Sequence, residues 1–103
     1  MLKNFRSYQM AVQFYQATRE LRAPNGLRDQ LGRAASSVAL NLAEGSAKSS
    51  ARDRLRFYEI ALGSVRECEA VMQLLGTTDR HILTTLDSLA RQVFTLCRAL
   101  QRG

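Results

Sequence analysis

A chain of 103 residues, 46% of them hydrophobic, has room for one compact core and not two, so a single domain over residues 1–103 is expected. No apolar run approaches the roughly 18 residues of a membrane span, and MLKNFRSYQM lacks the apolar run of a signal peptide. A membrane partner is therefore not expected, and the protein is expected to stay in the cytoplasm where it is made. The net charge of +6 is one-sided: residues 1–58 carry ten Lys or Arg against four Asp or Glu, and residues 59–103 carry five of each. Such an excess suits a polyanionic partner, although solubility alone would also account for it.

In chain order, helical spacing first appears over about residues 4–22. Phe5, Tyr8, Val12 and Tyr15 form one stripe, and Met10, Phe14, Ala17 and Leu21 form a second. A helix in a monomeric bundle needs one stripe, so Met10, Phe14 and Leu21 are assigned to an oligomer interface. The competing reading is one wide core face. Ala23-Pro24-Asn25-Gly26 then carries the only proline and a turn-forming Asn-Gly. A second helix, over about 27–44, places Leu31, Ala35, Val38 and Leu42 on one face, with small residues around them that allow close neighbours. Asn41 and Glu44 interrupt this pattern as structural polar residues, satisfying helix ends or an arginine such as Arg33. Gly45 reads as the left-handed stop of that helix.

Beyond a short link carrying Lys48, Ser49 or Ser50 with Asp53 resembles a capping box opening a third helix over about 51–75. Leu55, Tyr58, Leu62, Val65, Glu69 and Met72 recur there at heptad-like spacing. Gly63 sits in its interior, where glycine costs about 1 kcal/mol relative to alanine, which implies close contact with another helix. Gly76 and Thr77-Thr78-Asp79 provide a stop and a cap. The fourth helix, over about 80–101, repeats Ile82, Leu86, Leu89, Val93, Leu96 and Leu100 and has the clearest amphipathic pattern. Cys68 and Cys97 lie inside these apolar patterns without metal-ligand spacing, as reduced core thiols. Four helices with short connections predict an all-α, antiparallel up-down-up-down bundle.

Two segments carry a family resemblance. Arg33, Ala35, Ser37, Asn41, Ala43, Glu44 and Gly45 match the pattern R-x-A-x-S-x-x-x-N-x-A-E-G, while Ala61-Leu62-Gly63-Ser64 with Glu67 and Glu69 match A-L-G-S followed by E-x-E. The chain thereby resembles, over nearly its whole length, the bacterial four-helix-bundle family of the 23S rRNA intervening-sequence proteins. The resemblance implies a homo-oligomeric ring, often a pentamer, with a basic surface. Relatives include accessory proteins of diversity-generating retroelements, which act with a reverse transcriptase and its RNA.

Catalytic chemistry lacks a constellation in this sequence. His81 is the sole histidine and falls beside a helix start, a poor position for an imidazolium. Glu67 and Glu69 are two residues apart and face different ways. Glu44 could meet one of them across the bundle, but the Glu-x-x-His motifs of di-iron bundles are missing. Gly45-Ser46-Ala47-Lys48-Ser49 lacks the first glycine of a phosphate loop. The expectation is a non-enzyme without cofactor or metal. The candidate nucleic-acid contacts are Arg28, Arg33, Lys48, Arg52, Arg54 and Arg56, supported by Arg19 and Arg22. Lys48, Arg52 and Arg56 share a four-residue spacing. No aromatic residue reads as interleaved with them, since Phe57 and Tyr58 look like core or interface, so backbone and shape recognition of structured RNA or a ribonucleoprotein is expected. The alternative is a protein-interaction scaffold whose charge serves only solubility.

Overall fold

The computed structural model describes Leu2 and residues 5–102. Four helices account for nearly all of them: α1 (Arg6–Arg19), α2 (Asn25–Ser46), α3 (Ala51–Leu75) and α4 (Arg80–Arg102). No strand occurs among the described residues. α1 packs against α2 and α4, and α3 packs against the same two helices. The four enclose one core as a four-helix bundle. Asn4, the expected start of the first helix, lies outside the described residues.

Local chemistry sets most of the boundaries. Ser50 caps α3 by accepting the Asp53 N–H at 3.1 Å, as a serine three residues before an acid should. Gly76 ends α3 with φ of 64°, the left-handed conformation that glycine adopts without strain. The Asp79 carboxylate accepts the Ile82 N–H at 3.1 Å and opens α4. α2, however, begins two residues earlier than its apolar pattern suggests. Pro24 stands at its N-cap and its carbonyl accepts the Arg28 N–H at 2.9 Å, so Asn25 and Gly26 form the first turn of the helix and are not a loop. α2 also runs on to Ser46. Gly45 is helical and is not the left-handed stop; among the described residues only Gly76 has a positive φ.

The core draws on all four helices, with Phe14, Leu31, Leu42, Ile82 and Leu89 as its largest fully buried side chains. α1 corrects the interface assignment. Its buried line is Ser7, Ala11, Phe14 and Thr18, and Phe14 is 0% exposed. The two stripes seen in the sequence flank that line, and Tyr8, Val12 and Tyr15 on one side and Met10, Ala17 and Leu21 on the other pack against the core. They are the edges of one wide face, because α1 must cover both α2 and α4. A polar contact reinforces this: Ser7 Oγ donates to Gln92 Oε1 at 3.0 Å, and the Gln92 amide donates to Met10 Sδ at 3.5 Å.

Gly63 reverses expectation as well. A Cβ built on it would meet nothing within 4 Å, so no helix of the same chain approaches it. The close approach occurs at Gly45, where a Cβ would lie 2.7 Å from Tyr58 Cε1 and 2.8 Å from Cδ1. α2 and α3 come together across that glycine. Cys68 and Cys97 are free and buried, as expected of core thiols. Burial, aided by Glu67 and Glu69, pushes the Cys68 thiol up to about 12, which keeps it protonated and unreactive at neutral pH.

Candidate nucleic-acid interface

The turn from α2 to α3 gathers the basic residues most tightly. Ser50 fixes where α3 starts, and Gly45 lets the first turns of α3 lie against the end of α2. Within this frame Arg54 is a strut. Its guanidinium donates to the Lys48 carbonyl at 2.8 Å, and its buried Nε has no hydrogen-bond partner among the described residues. It also lies close enough to Tyr58 for its charge to lower the phenol pKa, against the larger upward push of burial. Arg54 therefore braces the turn and is only partly exposed.

Lys48 and Arg56 both lie over one aromatic ring. Lys48 Nζ stands 5.1 Å and Arg56 Cζ 4.9 Å from the centroid of Phe57, within the range of a cation–π contact. Lys48 also pairs with Glu44 Oε2 at 3.1 Å. Both partners are substantially exposed, and such surface pairs contribute about 0–1 kcal/mol, so an incoming phosphate could readily compete with Glu44. Arg52 is exposed one turn before Arg56. Among the described residues neither Arg52 nor Arg56 forms an ion pair with an acidic side chain.

Arg28 and Arg33 belong elsewhere. They line an open cleft of about 540 Å³ between α1 and the start of α2, together with Tyr15, Arg19, Asp29 and Ser36. Arg19 donates to the Tyr15 hydroxyl at 3.2 Å, and Arg28 donates to the Arg19 carbonyl. Arg28 and Ser46 stand at the two ends of α2, about 27 Å apart at the helical rise of about 1.5 Å per residue. The candidate contacts thus fall into two groups, Arg28 and Arg33 in the first half of α2 and Lys48, Arg52, Arg54 and Arg56 around its far end.

The polar residues of the motif segments have a different task from the expected one. Asn41 Nδ2 donates to the Ser37 carbonyl at 2.8 Å and to Ser37 Oγ at 3.1 Å. Ser37 Oγ in turn lies 2.8 Å from Ser64 Oγ. Asn41, Ser37 and Ser64 make a polar stitch between α2 and α3, and Asn41 reaches neither a helix end nor Arg33. Glu44 turns to Lys48 instead of crossing the bundle. Glu67 accepts from Gln30 at 3.4 Å and Glu69 pairs with Arg66 at 3.0 Å, so these acids do not converge.

Sequence reasoning overlooked Phe57 as part of the basic site. It lies nine positions after Lys48, and only the tight α2–α3 turn folds the lysine back over the ring. The preceding glycine was the available signal, had it been read as a packing position and not as a stop.

Residues 5–102 match the family model described as 23S rRNA-intervening sequence protein, and the chain belongs to that family. A comparison with curated proteins finds none that matches.

Proposed function

We propose that this member of the 23S rRNA-intervening sequence protein family is a non-enzymatic, cytoplasmic RNA-binding bundle that works as a homo-oligomer. The observation that carries the reading is the group of Lys48, Arg52 and Arg56 at the α2–α3 turn, where Glu44, the one acidic partner among the described residues, is exposed and replaceable. Arginine and lysine there can grip phosphates. Up-down-up-down antiparallel order, assembly into a five-membered ring, and service as accessory subunit to a retroelement reverse transcriptase are parts of the same proposal. In a ring, each copy would add its own basic group, and weak contacts would combine.

Counterion release gives the test. Affinity for a structured RNA should fall with salt, with a log–log slope of roughly −0.7 to −0.9 for each phosphate contact. Replacing Arg52 and Arg56 together by glutamine should flatten that slope and weaken RNAs of different sequence about equally, with helicity unchanged. Absence of RNA retention by the wild type at low salt would sink the reading.

The surface proposed for assembly is the outer face of α3, not α1. Ile60, Gly63, Ala70 and Leu74 share one helical line there, with Glu67 between Gly63 and Ala70, and are exposed, Ile60 by 47% and Leu74 by 71%. Exposed apolar side chains in a line favour a protein contact, which also supports the second reading, a protein-interaction scaffold without nucleic acid. Gly63→Leu separates the chain's own packing from that of a partner, because nothing in the chain lies within 4 Å of the new Cβ. Light scattering should give an oligomer for the wild type and a smaller species for Gly63→Leu, both with full helical dichroism. An unaltered mass for the variant would remove α3 from the interface, and a monomeric wild type at micromolar concentration would remove the ring.

A further inference from the structure

We propose that Phe57 is a stacking platform for an unpaired nucleobase, with Lys48 and Arg56 taking the phosphates on either side of it. The inference rests on the RNA-binding reading and sharpens it from nucleic acid in general to single-stranded segments. Three observations point to it. Phe57 is half-buried, yet its ring is not among the side chains packed on the core, unlike its neighbours Leu55 and Tyr58. Two cations lie over the ring, at 5.1 and 4.9 Å from its centroid. The root of the side chain sits against the end of α2, since Phe57 Cβ lies 3.1 Å from where a Cβ on Gly45 would be.

An exposed cation–π contact is a weak interaction, whereas stacking of a base on an aromatic side chain is stronger and tolerates any base, because every base has a π-face. A phosphodiester strand brings both groups at once. Its phosphates draw Lys48 from Glu44 and Lys48 and Arg56 from the ring, and the uncovered face receives the base. Nothing in this exchange needs the backbone to move. Bases in an A-form duplex are already stacked and paired, so they cannot reach the ring. Loops, bulges and single strands can present theirs. A lone basic patch would not make that distinction, because phosphates are present in both forms.

The experiment compares the full chain on a labelled oligouridylate single strand and on an RNA duplex of equal length at the same salt. The wild type should prefer the single strand by about tenfold, the scale set by one stacked base. Phe57→Leu keeps an apolar side chain at the position and should lose that preference, with duplex affinity, salt slope and helical dichroism unchanged. Phe57→Trp supplies the only tryptophan in a chain that has none, and its emission should be quenched by the single strand and not by the duplex. RNA binding with no strand preference, or a preference that survives in Phe57→Leu, would overturn the stacking role and leave the phosphate contacts standing. No binding of either RNA by the wild type would overturn both readings.

Discussion

Phe14→Ala is expected to destabilise the chain by about 3–5 kcal/mol, the range for emptying a fully buried aromatic site. Phe14 is 0% exposed and is among the largest buried side chains. It projects from α1, which packs on both α2 and α4, so a void left there is bounded by three helices whose backbones cannot close on it. Small domains have about 5–15 kcal/mol of stability in total, and each kcal/mol lost lowers the midpoint by about 4–8 °C in a domain of 60–100 residues. Thermal and urea unfolding followed by circular dichroism should show the loss directly. A charged residue at position 14 should prevent folding altogether, because it would be carried fully out of water into an apolar core. The opposite pattern, in which Phe14→Ala changes the midpoint by less than about 1 kcal/mol while the oligomer dissociates, would restore α1 to a subunit interface.

The misreading of α1 has a physical origin. Hydrophobic periodicity finds large apolar residues, and here the middle of the buried face is Ser7, Ala11 and Thr18 around Phe14. Small and hydroxylic residues at its centre divide one broad face into two apparent stripes. By contrast, α3 and the start of α4 were legible to the residue, because Ser50, Gly76 and Asp79 act through bonds to backbone groups within three or four positions. Local signals travel with the sequence. Contacts between helices do not, which is why Gly63 and Gly45 exchanged roles. Both are glycines in helical surroundings, and only the packing of Tyr58 onto α2 distinguishes the one that must lack a side chain. The candidate site divides along the same line. Lys48, Arg52 and Arg56 were legible from their four-residue spacing, whereas the bracing of the turn by Arg54, the distance of Arg28 and Arg33 along α2, and the place of Phe57 under two cations all depend on how the helices fold together.

Gly45→Leu is expected to cost about 3 kcal/mol or more, at the upper end of the range for overpacking a core. A Cβ alone would lie 2.7 and 2.8 Å from two ring carbons of Tyr58 and 3.1 Å from Phe57 Cβ. Tyr58 is 5% exposed and sits 6.1 Å, centroid to centroid, from the ring of Phe5, so its ring has no open side into which to swing. α2 and α3 would have to separate, and the Ser37–Ser64 contact between them would lengthen with them. The gain in helix propensity on leaving glycine is about 1 kcal/mol at most and does not offset the clash. Gly45→Ala should therefore be destabilising by up to about 2 kcal/mol even though alanine is the better helix former, the balance of a propensity gain of about 1 kcal/mol against an overpacking term of about 1–3 kcal/mol. Pairing it with Tyr58→Leu should restore part of the loss, since a flexible side chain can yield where a ring cannot, and the two substitutions should be non-additive. Chemical unfolding of the two single variants and the double variant measures this coupling. If Gly45→Ala raises the midpoint, or if the two effects simply add, the close approach of α2 and α3 at this glycine is not what holds the basic turn in place.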